Sequence, residues 1–279
     1  MDVRLASTFL FVPGSRPDRF SKAAASGADA VIIDLEDAVG PEDKHDARTA
    51  AAEFVDASPA VVRVNSVESP WLEADLAALR HRRYIKGVMV PKGSSPEELA
   101  AVAHALGSVS LLVLVESALG VMHAAELARV PGVTRLAFGN LDFAADTGIC
   151  PSQPDEPELL YACSQLVVAS RAAGLEGPIA GVTQNVTDPT FVARDAERQR
   201  RLGFTGKLLI HPSQVPGTKP VFQAQEQDLD WAKRILRAAG SSRDAVVLVD
   251  GEMVDKPVIL RAERILARID AREAATGNP

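Results

Sequence analysis

The stretch SLLVLVESALGVMHAAELA, residues 110–128, contains one complete unit of the fold. An apolar run without alternation, Ser110–Val115, is what a strand buried on both faces requires; a strand with one wet face would alternate. Glu116 closes the run, and from Ala118 to Ala128 the pattern becomes helical. A short apolar strand leading into an amphipathic helix is the repeating unit of a parallel α/β sheet.

The unit recurs in both directions. Strands are expected at Thr8–Val12, Ala30–Leu35, Ala60–Val64, Gly87–Val90, Ser110–Val115, Arg135–Phe138, Pro178–Val182 and Lys207–Ile210. Their starts lie roughly 22 to 43 residues apart, and the Pro-rich loop GICPSQPDEPE follows the sixth. Helices are expected at Asp18–Ser26, Lys44–Val55, Pro70–Leu79, Pro96–Ala105, Ala118–Ala128, Glu156–Ala173 and Pro189–Leu202. Pro17, Pro70, Pro96 and Pro189 sit at or near helix starts, and Gly27, Gly107, Gly174 and Gly203 sit just past helix ends. Eight units without a GxGxxG fingerprint favour a closed TIM (β/α)8 barrel over a doubly wound open sheet. The barrel is assigned to residues 1–220 and a short C-terminal helical appendage to 221–279. After a loop at Pro212–Pro220, the appendage comprises a helix at Asp228–Ala239, an apolar run at Ala245–Val249 and a helix at Pro257–Arg268; the Ala275–Pro279 tail is expected to fray.

A chain of 279 residues suits one such barrel. Its net charge of −7, with no basic run, argues against nucleic-acid binding. Cys150 and Cys163 form neither a disulfide framework nor a metal-spaced pattern, as expected of thiols in a reducing compartment. Pro13 and Gly14 break the N-terminal apolar run and Glu116 breaks the most apolar stretch, so neither a signal peptide nor a membrane span is expected. A cytoplasmic protein is the expectation.

Every expected strand ends on polar residues, at the rim where this fold builds its active sites. In order these are Pro13–Arg16, Asp34–Asp37, Arg63 and Asn65, Lys92, Glu116, Asn140 and Asp142, Thr183 and Asn185, and His211. Asn65, Thr183 and Asn185 could simply mark where strands reach water. The carboxylates are harder to explain that way, because acids converging on one face repel unless a cation compensates. An oxygen-rich site without a His/Cys cluster suits Mg²⁺, expected near Glu116 and Asp142. The Arg63 fork can grip a carboxylate, or pair internally with Glu36 or Asp37. Arg16, with Arg19, flanks a helix start that can favour an anion. Lys92 could form a Schiff base, though a salt bridge to a nearby acid is the simpler expectation. His211 is expected to orient a loop by hydrogen bonds.

The motifs FLFVPGSRPDRF, ADAVIIDLEDAV, VVRVN, VMVPK, LLVLVESALGV, FGNLD, LIHPSQV and GEMVDKPV fall in an order that resembles the HpcH/HpaI aldolase/citrate lyase superfamily. The nearest group is the citrate lyase β-subunit-like CoA-ester lyases, and the resemblance runs from about residue 8 to residue 265. It implies a β/α barrel and Mg²⁺ on Glu116 and Asp142. It also implies Arg63 on the carboxylate of a 2-oxo acid, with Glu36 and Asp37 near the metal's waters. Asp255, in the VDKP motif, is implied to reach a neighbouring subunit's site in a homo-oligomer, most often a trimer. One departure is that many members carry an acid directly before the metal-binding Asp, where this chain has Leu141.

The implied reaction cleaves or forms a 3-hydroxyacyl-CoA such as citryl-, citramalyl- or malyl-CoA, giving an acyl-CoA and a 2-oxo acid. The base would be Asp37 or hydroxide on the metal, and the acid Asp255. Alternatives are an acyl-carrier-protein thioester as substrate within a citrate lyase complex, a malyl-CoA-type thioesterase, a Schiff-base aldolase through Lys92, and a non-catalytic complex subunit.

Overall fold

Eight strands close into one parallel barrel in sequence order, β8 pairing back onto β1, in a computed structural model that describes residues 2–223, 226–241 and 246–276. They are β1 (Thr8–Pro13), β2 (Ala30–Asp34), β3 (Ala60–Arg63), β4 (Ile85–Val90), β5 (Leu111–Val115), β6 (Val133–Phe138), β7 (Ile179–Ala180) and β8 (Gly206–Leu209). This is a TIM barrel, and its strands coincide closely with the apolar runs. One face of each strand fills the interior with residues such as Phe9, Ile32, Met89, Leu112 and Leu208. The alternate residues, such as Leu10, Ile33, Val88, Val113 and Leu209, pack outward under the helices. Both faces are therefore apolar, which is why the runs do not alternate.

The surrounding helices are α1 (Phe20–Ala24), α2 (Lys44–Ala57), α3 (Leu72–Leu79), α4 (Pro96–Leu106), α5 (Ala118–Met122), α6 (Ala124–Leu127), α7 (Asn140–Thr147), α8 (Leu160–Ala172), α9 (Pro189–Leu202) and α10 (Val215–Phe222). The helix starts follow the sequence chemistry. Ser95 caps α4 and Asp188 caps α9 through side-chain bonds, each with proline at the first position. Gly107 and Gly203 end these two helices at φ of 68° and 107°, which a residue with a Cβ resists. The expected helix over 118–128 is two helices broken at His123, whose Nδ1 lies 2.7 Å from the Ser94 carbonyl.

Three expectations are corrected. The expected strand Pro178–Val182 contracts to Ile179–Ala180, because the Val182 N–H bonds the Asn140 side chain at 2.9 Å rather than a neighbouring strand. Asn140 and Asp142, expected at the polar end of strand six, lie in the first turn of α7. Residues 212–220, expected as a loop, are a 3-10 turn running into α10 despite Pro216, Gly217 and Pro220. There His211 and Gln214 form a reciprocal capping box that starts the turn.

The opposite end of the barrel is stoppered by Arg135. Its guanidinium is fully buried and donates to the carbonyls of Gly177 and Ala6 and to the Thr205 hydroxyl. Four strand N-terminal regions are tied together there.

The chain divides into two compact units, with the second beginning at Gln223. That unit holds α11 (Glu226–Ser241), an antiparallel hairpin of β9 (Val247–Val249) and β10 (Glu252–Val254), and α12 (Lys256–Thr276). Its small core contains Ala232, Ile235, Val254 and Ala262, with Arg261 stacked 4.7 Å from the Trp231 ring. The apolar run at 247–249 is thus one arm of a hairpin whose turn, Asp250–Gly251, has positive φ at both residues. Ala245 and residues 277–279 of the tail lie outside the described residues. Among the described residues no helix is long and apolar enough to cross a membrane.

Candidate active site

β2 and β3 are parallel neighbours with Asp34 directly opposite Arg63. The Arg63 Nε and Nη2 donate to the two Asp34 carboxylate oxygens at 2.7 and 2.6 Å, a bidentate grip inside the barrel mouth. Asp34 also accepts the Glu36 N–H at 2.9 Å, which curls the DLED segment over the rim. Arg63 Nη1 then lies 3.1 Å from Glu36 and 3.6 Å from Asp37. Its expected partners are present, but the dominant one is Asp34, set by strand register. Burial opposes the charge on Arg63, and Asp34, Glu36 and Asp37 more than restore it. The Phe11 ring, 5.0 Å from the guanidinium carbon, backs it from below.

A buried polar frame holds this loop. Lys44 Nζ donates to the Leu35 and Glu36 carbonyls and to Asn65 Oδ1 at 2.6–2.7 Å. Asn65 in turn donates its backbone and side-chain N–H to Asp75, which Arg48 Nε also contacts at 2.7 Å. Sequence reading placed Lys44 only at a helix start and did not single out Asp75. The legible signal was that Asp75 is an acid on the buried side of a helix, where charge needs partners.

Glu116 leaves the end of β5 and is 4% exposed. Its Oε1 accepts the Lys92 N–H at 2.7 Å, made possible by Lys92 adopting a left-handed φ of 53°. Across from it, Gly139 presses close: a Cβ there would lie 2.5 Å from the Glu116 Cβ and Oε2. Gly139 leads into α7, whose first turn carries Asp142. Asn140 locks that turn by exchanging hydrogen bonds with both backbone groups of Val182. Glu116, Asp142, Arg63, Asp34 and Asp37 line one cavity of roughly 320 Å³. Burial pushes the Glu116 carboxyl up to about 8, the Lys92 N–H opposes this, and the charges of Asp142 and Glu36 add to it. Glu36 is raised as well, by burial against the counter-pull of Arg63.

The other rim residues are turned to structural tasks. Lys92 Nζ pairs with Glu36 at 3.2 Å; although burial opposes its charge, Glu36, Asp37 and Glu116 hold it as an ammonium. A Schiff-base lysine requires the reverse. Arg16 grips Asp18 through two bonds of 2.9 Å beside an α1 only five residues long, and it is not among the residues lining the cavity. Thr183 bonds Asp195, Asn185 caps its own turn, and His211 caps the turn before α10. Asp255 precedes α12 in the second unit, where its Oδ1 accepts the Val258 N–H at 3.4 Å.

Can such a site take a metal? Among the described residues no three His, Cys, Asp or Glu side chains form a ligand cluster. Mg²⁺ does not need one, since it binds through one or two carboxylates and keeps several waters. Among the described residues the mouth gathers five acids, Asp34, Glu36, Asp37, Glu116 and Asp142, against three cations, Arg63, Lys92 and, beneath the loop, Lys44. Neither buried Glu36 oxygen has a hydrogen bond of good alignment. This excess of negative charge, part of it buried on Glu36 and Glu116, fits a divalent cation.

The HpcH/HpaI aldolase/citrate lyase family model matches residues 7–212. The chain belongs to that family. A citrate lyase subunit beta-like protein of Deinococcus radiodurans is 37% identical, covering 94% of this chain and 97% of that one. A (3S)-malyl-CoA thioesterase of Cereibacter sphaeroides is 33% identical, covering 94% of each chain. A crystal structure of CitE from Mycobacterium tuberculosis, in complex with magnesium, acetoacetate and coenzyme A, superimposes with a TM-score of 0.81 at 32% identity. That match covers 96% of this chain and 100% of the CitE chain. Members of the family thus include both lyase-type and thioesterase proteins, and this chain is citrate lyase β-like.

Proposed function

We propose that this protein is a Mg²⁺-dependent carbon–carbon lyase that cleaves, or in reverse forms, a 3-hydroxyacyl-CoA, giving an acyl-CoA and a 2-oxo acid. The observation that carries this reading is the pair Glu116 and Asp142 lining one cavity with Arg63, in a mouth with more acids than bases. Glu116 and Asp142 would hold Mg²⁺, which would supply Lewis-acid polarisation of the 2-hydroxy carboxylate. The magnesium and coenzyme A bound in the M. tuberculosis CitE structure support both ligands.

The chain's own groups then divide the remaining work. Arg63, fixed by Asp34 through Nε and Nη2, is the group assigned to the substrate carboxylate, which would replace Glu36 and Asp37 beside Nη1 and so orient the bond to be broken. Asp37, exposed at the rim, is the base assigned to the hydroxyl proton. As that proton leaves, the oxygen's electron pair forms the keto group and the carbon–carbon pair passes to the thioester enolate. Asp255 of a neighbouring copy is the acid assigned to protonate that enolate. Exposed apolar side chains on α5 and α8, including Leu119, Met122, Tyr161 and Val168, support a homo-oligomer, and a trimer is the form we propose. The free thiols Cys150 and Cys163 support a cytoplasmic setting.

The test is a panel of citryl-, citramalyl-, malyl- and methylmalyl-CoA with Mg²⁺, following both 2-oxo acid and free thiol. Release of the 2-oxo acid without free CoA supports the lyase. Release of free CoA with the acid skeleton intact would establish the thioesterase reading that the C. sphaeroides relative favours.

A further inference from the structure

β7 is two residues long, paired through Ile179 to Ala137 of β6 and through Ile179 and Ala180 to Gly206 and Lys207 of β8. Past Ala180 the chain leaves the ladder, and its next peptide groups are held by side chains. Lys207 Nζ, which also contacts Asp195 at 2.8 Å, donates to the Gly181 carbonyl at 2.6 Å. The Asn140 amide takes the following residue: Oδ1 accepts the Val182 N–H at 2.9 Å, and Nδ2 donates to the Val182 carbonyl at 3.2 Å. A side-chain amide offers an acceptor and a donor side by side, so Asn140 serves Val182 as a neighbouring strand would. Gly181 makes the approach possible, because a Cβ there would overlap the Asn140 amide.

Asn140 opens α7, and Asp142 stands in the same turn. The helix has no side-chain cap at Gly139. Two hydrogen bonds tie it to the end of β5, from the Gly139 N–H to the Val115 carbonyl at 3.0 Å and from the Ala118 N–H to Asp146 at 2.7 Å. Both lie on the Glu116 side. With these alone the first turn would be free to swing about the β5 end, carrying Asp142 with it. The paired bonds of Asn140 pin the other side of the turn to β7. Mg²⁺ tolerates little departure from its preferred geometry, so its ligands must be held beforehand or ordered at the expense of affinity. We propose that Asn140 is a positioning residue for the metal site, presetting Asp142 against Glu116 by clamping the first turn of α7 to the end of β7. The proposal rests on the reading that these two carboxylates share Mg²⁺, and it adds which side chain sets the affinity of the site.

Truncating Asn140 should spare the fold. Asn140 and Val182 line a second cavity of roughly 300 Å³ as well as the mouth, and water there can take the freed Val182 groups. The loosened turn then spends only part of its time in the binding arrangement, which raises the apparent dissociation constant for Mg²⁺ without altering the occupied site.

The test is calorimetric titration of Mg²⁺ into the full chain and two variants, which needs no turnover. Asn140→Ala should bind Mg²⁺ about 10-fold more weakly. Its melting temperature in EDTA should fall by less than about 5 °C. On any thioester that the wild type turns over, its kcat should return to the wild-type value once Mg²⁺ saturates, a recovery that general damage to the barrel would not show. Gly181→Ala keeps Asn140 but drives a methyl into its amide, and the same loss of affinity is expected. Wild-type affinity in either variant overturns the proposal and leaves the metal assignment intact. Unfolding of Asn140→Ala, or a kcat that stays low at saturating Mg²⁺, also overturns it. A wild type that binds no Mg²⁺ removes the metal assignment, and this proposal with it.

Discussion

Two buried clusters of charge sit at the same end of this barrel, and burial acts on them in opposite ways. Under α9, Asp195 contacts Lys207 Nζ at 2.8 Å, Arg198 at 2.9 Å and the Thr183 hydroxyl, while Arg198 also takes Glu156 at 2.7 Å. Burial alone would raise Asp195, yet Lys207 and these hydrogen bonds carry it well below the usual carboxylate range. In the mouth, Glu116 is pushed up to about 8. One cluster contains its own cations. The other contains too few, which is the mark of a site awaiting a charged ligand.

That contrast can be broken by substitution. Glu116→Gln or Asp142→Asn should lower kcat by about 1,000-fold or more, the scale of a lost Lewis acid. The melting temperature in EDTA should stay level or rise, since a repelling acid is gone; a large fall would move the pair into the structural class. Asp195→Asn should do the reverse, costing about 3–5 kcal/mol in urea unfolding because Lys207 and Arg198 lose their counter-ion. The sign with pH follows. Asp195 has a folded-state value below its unfolded 3.8, so its contribution is present above about pH 4 and is lost as pH falls further. Wild-type stability should drop through that window, and the Asp195→Asn curve should be flatter there.

Arg63→Lys sharpens the same comparison from within the mouth. The ammonium keeps the charge but loses the fork that both Asp34 and a substrate carboxylate need. A fall in kcat/KM of about 100-fold is expected, with little change in Mg²⁺ affinity. The smallest effect should come from Gly139→Ala, whose methyl must displace Glu116 and weaken Mg²⁺ binding by about 10-fold.

The barrel was legible because each strand is apolar on both faces and ends in a polar cluster, so Leu111–Val115 with Glu116 gave both an element and a site residue. Legibility failed where local chemistry misled. Pro216, Gly217 and Pro220 read as a loop, yet the His211–Gln214 cap starts a helix whose tertiary packing outweighs their poor propensity. The Asp250–Gly251 hairpin was signalled by its dipeptide and passed over, since the run before it was short. Among site residues, Arg63, Glu116 and Asp142 announce themselves by type and place, and the structure brings them to one cavity. Asp34 as the partner of Arg63 depends on register between strands 29 residues apart, and Lys44, Asn65 and Asp75 act through contacts no local pattern encodes. Thr183 and His211 are polar at the rim for the sake of their own loops.

Calorimetric titration of Mg²⁺ into the full chain tests most directly the cation proposed to be shared by Glu116 and Asp142. The wild type should bind one ion per chain, and Glu116→Gln and Asp142→Asn should each abolish that binding while remaining folded. Undiminished Mg²⁺ binding by both variants would contradict it.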